Sequence, residues 1–187
     1  MKTHLRAAFV LVALFTALTG LVYPLGVTAL AQFAFPLAAN GSLVQRDGVP
    51  VGSRLIGQGF AGAGYLHPRP SAVSYDGATS SGTNLGPTSA KLADRLAADA
   101  AVLRTEGLAG PIPADALTAS GSGLDPHISP NWALAQAPRI AAARGVSEDV
   151  VRQVISAHIE GRSFGLIGEP RVNVLLANLA LDREAGK

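Results

Sequence analysis

Hydrophobic and polar positions divide the chain into two unequal parts. From Ala7 to Val44 there is no charged side chain, and Ala7–Leu30 is apolar almost throughout. At about 1.5 Å per residue this run is longer than the roughly 30 Å hydrocarbon core of a bilayer, so it predicts one tilted transmembrane helix over 7–30. Lys2 and Arg6 stand just before the run, while Arg46 and Asp47, the first charges after it, are distant and of opposite sign. Basic flanks stay in the cytoplasm, which puts residues 1–6 inside and residues 31–187 outside as one extracytoplasmic (periplasmic) domain. Tyr23 and Pro24 fall toward the outer part of the span, where an amphipathic ring suits the headgroups and a helix break is tolerated. Ala13, Thr16, Ala17 and Gly20 form overlapping small-xxx-small pairs, a spacing that admits a second helix at close range. A signal peptide cut after Ala31 competes for the same stretch, but the apolar part is long for an h-region and no polar segment precedes the cut.

Beyond the span the pattern is of helices separated by polar loops. Gly41, Ser42, Asp47, Gly48 and Pro50 mark a turn-rich connection. Val51–Phe60 holds a short apolar core between glycines and reads as a strand. Residues 62–87 are rich in Gly, Pro, Ser, Thr and Asn, a long loop that either binds something or covers its own domain. An amphipathic helix starts at Thr88, with Leu92, Leu96 and Leu103 on one face, and ends by Gly107. Ser129 is placed as an N-cap with Pro130 at the first helical position, and Pro138 breaks or kinks that helix before residues 139–145 resume it. Ser147 caps a helix predicted through Gly161, with a staple between Val146 and Val151 and an apolar face ending at His158. Pro170 is read as opening a last helix through Val172, Leu175, Leu176 and Leu179 to about Asp182. The fold class expected is α+β, mostly helical, with one N-terminal transmembrane helix followed by a single domain.

Composition narrows the function. The net charge of +2 with only 5% aromatic residues gives neither a basic stripe nor a stacking surface for nucleic acid. With no cysteine, thiolate and disulfide chemistry are absent. Gly57-Gln58-Gly59-Phe60-Ala61-Gly62 matches a dinucleotide fingerprint formally, but Gly64, Pro68 and Pro70 forbid the helix that would hold the pyrophosphate. There is no phosphate-binding Gly-x-x-x-x-Gly-Lys-[Ser/Thr] motif, nor the Asp-Lys-Thr-Gly segment that a P-type pump phosphorylates. Ser120 and Ser122 stand among glycines without forming Gly-x-Ser-x-Gly. Asp125 and His127 offer two metal ligands, with His67 or His158 as a third, and so raise a metal-dependent hydrolase as an alternative. The competing reading, hydrogen bonding within a tight turn, is the commoner use of such residues.

Six stretches together carry a family likeness. Leu18-Thr19-Gly20-x-x-Tyr23-Pro24, Gly52-Ser53-x-Leu55-Ile56-Gly57-Gln58-x-Phe60, Arg69-Pro70-Ser71-Ala72 and Ser81-Gly82-x-Asn84-Leu85-Gly86-Pro87-Thr88 come first. They are followed by Thr118–Ser129 (TASGSGLDPHIS) and Gly168-Glu169-Pro170-Arg171-Val172-Asn173-Val174-Leu175. In this order they resemble the KdpC family, the C subunits of bacterial potassium-transporting ATPases. The resemblance implies a non-catalytic accessory subunit of an ATP-driven potassium import complex in the inner membrane. Its partners there would be a channel-like A subunit, a P-type ATPase B subunit, a small single-span F subunit and membrane lipid, with no nucleic acid. ATP and Mg would be used by the ATPase subunit, with no cofactor in this chain, whose part would be to stabilise assembly and to raise ATP affinity as a catalytic chaperone. Under this reading Thr19, Gly20, Tyr23, Pro24, Gln58, Arg69, Asn84, Ser120, Asp125, His127 and Asn173 are interface or fold-determining residues, and none is catalytic. A free-standing membrane-anchored binding module is the remaining alternative.

Overall fold

A computed structural model describes residues 2–184, with side chains from His4 onward. The chain forms two compact units, divided between Val51 and Gly52.

The first unit is dominated by one long apolar helix. Helix α1 (Lys2–Ala17) runs through a π-helical turn at Leu18–Val22 into α2 (Tyr23–Ala34), and a single turn, α3 (Pro36–Ala39), follows. The stretch long and apolar enough to cross a membrane is His4–Ala34, wider than 7–30 at both ends. Every side chain from His4 to Leu30 is exposed. A helix apolar on all faces and covered by no protein has lipid as its natural solvent. The π turn has a local cause in Pro24, which has no N–H to donate and whose ring would press on the carbonyl of Gly20 in a regular helix. Widening the turn relieves that, and the N–H of Tyr23 reaches back to Leu18 O. The span is thus deformed at Pro24, without a break. Two short strands, β1 (Leu43–Arg46) and β2 (Val49–Ser53), pair across Asp47 and Gly48, whose φ values of 53° and 78° suit a two-residue hairpin turn.

The second unit has its own core. After a long irregular stretch come α4 (Ala90–Thr105), α5 (Ala114–Leu117), β3 (His127–Ile128), α6 (Pro130–Ala135), α7 (Ala137–Arg144), α8 (Glu148–Ala157), β4 (Ile159–Glu160), β5 (Arg171–Asn173) and α9 (Val174–Glu184). The strands form an antiparallel sheet in the order β3-β5-β4. Fully buried Val172 lies at its centre, opposite Ile128 on one side and Ile159 on the other. Helices α6 and α9 pack against β5, and α8 packs against α6, α7 and α9, burying Trp132, Ile140, Val151, Val154, Ile155 and Leu181. Each such side chain contributes about 1.5–3 kcal/mol relative to exposure, which makes this layer the main source of stability. The helix-rich α+β class and the single domain core after the span are as expected.

Capping predicted from sequence is present where it was local. Ser129 Oγ accepts from Trp132 N (3.0 Å) with Pro130 opening α6, and Ser147 Oγ accepts from Val150 N (3.4 Å) at the start of α8. Pro138 lies in the first turn of α7, so the expected break falls just before it. Three expectations are corrected. The strand read over Val51–Phe60 is β2, beginning at Val49 and ending at Ser53. Helix α8 stops at Ala157 rather than Gly161, because Ile159 is drawn into the sheet against Val172. The last helix does not begin at Pro170: Arg171–Asn173 form the central strand, and α9 starts at Val174. Asn173 sets that boundary, since its Oδ1 accepts from Leu176 N (3.2 Å) as an N-cap.

Candidate functional site

The polar stretches of the second unit converge on one knot of loops. Its centre is the Ser120–Asp125 turn. Ser120 is buried, and its Oγ accepts from Gly123 N (3.0 Å) while sharing a hydrogen bond with Ser122 Oγ (3.1 Å). The Ser120 N–H donates to Pro70 O (3.0 Å), and Ser122 O accepts from Ser81 N (3.0 Å). Ser71 closes the knot from the other side by donating from Oγ to Gly123 O (2.7 Å) while accepting from Tyr75 N (3.0 Å). Gly123 sits at φ 70°, and a Cβ there would lie 2.6 Å from Val73 Cγ2 and 2.8 Å from Ser81 O. Gly57 is excluded from carrying a side chain for a different reason: its N–H binds Leu124 O at 2.7 Å, and a Cβ would fall 2.5 Å from Asp125 O. The serines therefore bond to backbone groups and to one another, as turn residues do, and none of the hydrogen bonds described for them runs to a base that would activate it.

Arg69, Asp125 and His127 form the charged edge of the knot. Arg69 Nη1 donates to Asp125 Oδ2 (3.2 Å), and its Nη2 faces the carbonyls of Thr118 and Ala119 at 3.4 Å. Tyr75 fixes the arginine backbone, its hydroxyl donating to Arg69 O (2.6 Å), and burial pushes that phenol above its ordinary value. Asp125 Oδ1 accepts from His127 N (3.0 Å), with the His127 ring nitrogen Nδ1 3.7 Å away. Burial by itself opposes the Asp125 charge. The His127 ring, its backbone N–H and Arg69 together outweigh burial and hold the carboxyl below its ordinary value. Asn173 joins the cluster from β5 and donates to Arg54 O (2.8 Å), its Nδ2 3.5 Å from His127 Nε2. An open groove of about 500 Å³ runs past Arg69, Thr118, Asp125, His127, Glu169 and Arg171.

Arg69, Ser120, Asp125, His127 and Asn173 are therefore brought together by the fold. Gln58 is half-buried next to the Gly57 contact, and Asn84 is exposed at φ 54°, a conformation Asn tolerates. Thr19, Gly20, Tyr23 and Pro24 belong to the first unit, where Thr19 Oγ1 donates to Phe15 O (2.6 Å) and all four side-chain positions are exposed. The third metal ligand suggested beside Asp125 and His127 is not supplied: His67 Nε2 lies 3.2 Å from Gly62 O, and His158 Nδ1 2.8 Å from Val154 O. Among the described residues no group of three or more His, Asp or Glu is placed to hold a metal ion.

Sequence reasoning missed a second set of polar residues, which pins the long loop. Asn178 on α9 accepts from Leu66 N (2.7 Å) and donates to Leu66 O (3.1 Å). Gln136 does the same for His67, at 2.8 and 3.1 Å. Two buried amides thus replace the neighbouring strand that this backbone lacks. Arg139 donates to Ala63 O and Tyr65 O, and Arg144 donates to Gly64 O. Arg144 also pairs with Asp182 at 2.9 Å in a nearly buried ion pair, stacked 4.9 Å from the Tyr65 ring centre. Burial and then the Arg139 charge lower His67 below its usual range, against the pull of the Gly62 carbonyl. The available signal was a polar amide, Asn178, set in the apolar stripe between Leu175 and Leu181.

The family model for KdpC, described as K+-transporting ATPase, c chain, matches residues 5–183. The potassium-transporting ATPase KdpC subunit of Methylobacterium nodulans is 54% identical over 201 aligned positions, covering all of both chains. That of Myxococcus xanthus is 62% identical across 90% of this chain and 82% of its own, and that of Bradyrhizobium diazoefficiens 48% identical across all of both. The matched range takes in the apolar helix, the loop knot and the sheet, and the chain belongs to the KdpC family, the c chains of K+-transporting ATPases.

Proposed function

We propose that the chain is a non-catalytic accessory subunit of an ATP-driven potassium import complex. It would hold together a channel-like subunit and a P-type ATPase subunit, with a small single-span subunit as a further partner. ATP and Mg would be handled by the ATPase subunit. The family match over residues 5–183 carries this reading. Two features support it: an apolar helix long enough to anchor the chain, and a polar cluster whose side chains are spent on joining loops. In this reading residues 1–6 lie in the cytoplasm, 7–30 span the membrane and 31–187 form the extracytoplasmic domain, as the basic N-terminal flank favours. Any effect on ATP affinity would then reach the ATPase subunit through the complex, as a coupling free energy between distant sites. The test is purification of the tagged full-length chain from mildly solubilised membranes with identification of what accompanies it. A fixed ratio to a P-type ATPase subunit and a polytopic channel-like subunit is expected. A chain that purifies alone, with metal-dependent hydrolysis of its own, would overturn the reading.

A further inference from the structure

Between β4 and β5 the chain makes a tight excursion whose tip is apolar. Ser163 N donates to Ile167 O (2.9 Å) and Ile167 N to Ser163 O (3.0 Å), closing the three-residue turn Phe164–Leu166. Below the tip Arg162 pairs with Glu169 (2.8 Å), and Arg171 pairs with Glu160 (2.9 Å). The turn is therefore ordered before it meets anything. Yet Phe164 is 95% exposed, Leu166 81% and Ile167 67%. Phe164 also sits at φ 54°, a left-handed conformation that turn chemistry assigns to Asn or Gly and that is strained for a bulky side chain. Among the described residues Phe164 packs on almost nothing, so no burial of its side chain offsets that strain. Strain of this kind persists where the side chain it presents is put to use.

We propose that this tip is a preformed knob that enters an apolar depression on the extramembrane face of another subunit of the potassium transporter. The inference rests on the accessory-subunit reading above and names a contact it would use. Charge selects a protein over a bilayer as the occupant. Around the tip Glu169 pairs with Arg162, and Glu160 is shared by Arg171 and Arg54, so each arginine there already faces a carboxylate and exposed Glu169 would face the headgroups, whereas membrane-inserting tips carry unpaired Lys or Arg with Trp or Tyr. A second copy fits poorly as well. The apolar cleft lined by Leu103, Leu108 and Trp132 lies elsewhere on the same unit, so a knob entering it would make a head-to-tail contact of the kind that propagates into rows unless its rotation closes a ring. The base of the excursion, Glu169 and Arg171, lines the groove of Arg69, Asp125 and His127, so one partner surface can cover both.

The experiment replaces Phe164 by p-benzoylphenylalanine in the full-length chain, co-expressed with the other transporter subunits, and irradiates native membranes. An adduct between residue 164 and another transporter subunit is expected. An adduct to lipid alone, an adduct to a second copy, or no adduct in a complex that still co-purifies overturns the proposal while leaving the accessory reading intact. Failure of the unsubstituted chain to co-purify with any such subunit overturns both. As a second measurement, Phe164→Ser should speed loss of the chain from the purified complex about tenfold or more, as truncation of an anchoring aromatic does. Val102→Ser, which removes another exposed apolar side chain, on α4 away from the tip, should not.

Discussion

The knot of loops depends on single atoms. Gly123→Ala places a methyl group 2.6 Å from Val73 Cγ2 and 2.8 Å from Ser81 O at a residue whose φ is 70°. Left-handed strain and overpacking together should cost about 3 kcal/mol, read as a lowered denaturation midpoint of the full-length chain in detergent. An unchanged midpoint would mean that the 71–82 loop moves aside freely. Acid should loosen the second unit in two stages, first at the loop around His67 and then at the knot. His67 is held below its ordinary 6.5, so the unfolded chain takes up a proton that the folded one refuses, and stability falls as pH drops below 6.5. Asp125 is held below its ordinary 3.8, so its contribution is complete above 3.8 and is lost as pH falls through its folded value. His67→Gln should flatten the first stage and Asp125→Asn the second in midpoint-against-pH curves. A variant curve parallel to the unsubstituted one would refute the corresponding assignment.

At the scale of elements, the long loop of residues 61–70 behaves as a strand whose partners are side chains. Asn178→Leu keeps the branched shape but leaves Leu66 N–H and C=O buried without partners, at about 1–3 kcal/mol each. The expected result is a stability loss of about 2–5 kcal/mol by chemical denaturation and faster proteolysis within residues 61–70. A loss below about 1 kcal/mol would show that water replaces the amide. These elements also show which parts of the fold the sequence could disclose. The caps at Ser129 and Ser147 were readable because a cap is a contract between residues three apart. The sheet was not: strands of two or three residues have no periodicity to read, and Val172 meets partners near residues 128 and 159 only in the folded chain. Pro170 and the leucines beyond it imitate a helix start, and Asn173 overrides them by capping α9 three residues later. The site divides in the same way. Asp125 and His127 are neighbours in sequence and were found together, whereas their meeting with Arg69 and Asn173 is long-range.

For the whole molecule, the accessory reading gives the chain two places to hold a complex, the apolar helix and the second unit. Joining two modest contacts through one chain raises overall affinity by orders of magnitude when both engage at once. The helix is the simpler one to isolate, because a Cβ built at Gly20 finds no atom within 4 Å beyond the adjoining residues and the helix's own backbone. Gly20→Leu therefore has no steric reason to disturb the isolated protein, and added hydrophobicity favours insertion. If the small residues Ala13, Ala17 and Gly20 form a seam for a neighbouring helix, a leucine there holds the two backbones apart. Membrane levels of the variant should match the unsubstituted chain, while its recovery with the other transporter subunits after mild solubilisation should fall several-fold. Gly26→Leu serves as the control, since Gly26 is equally free of neighbours but lies off the seam. Equal loss from both variants would assign the effect to general perturbation of the helix. No loss from Gly20→Leu would leave the span a plain anchor and place assembly with the second unit alone.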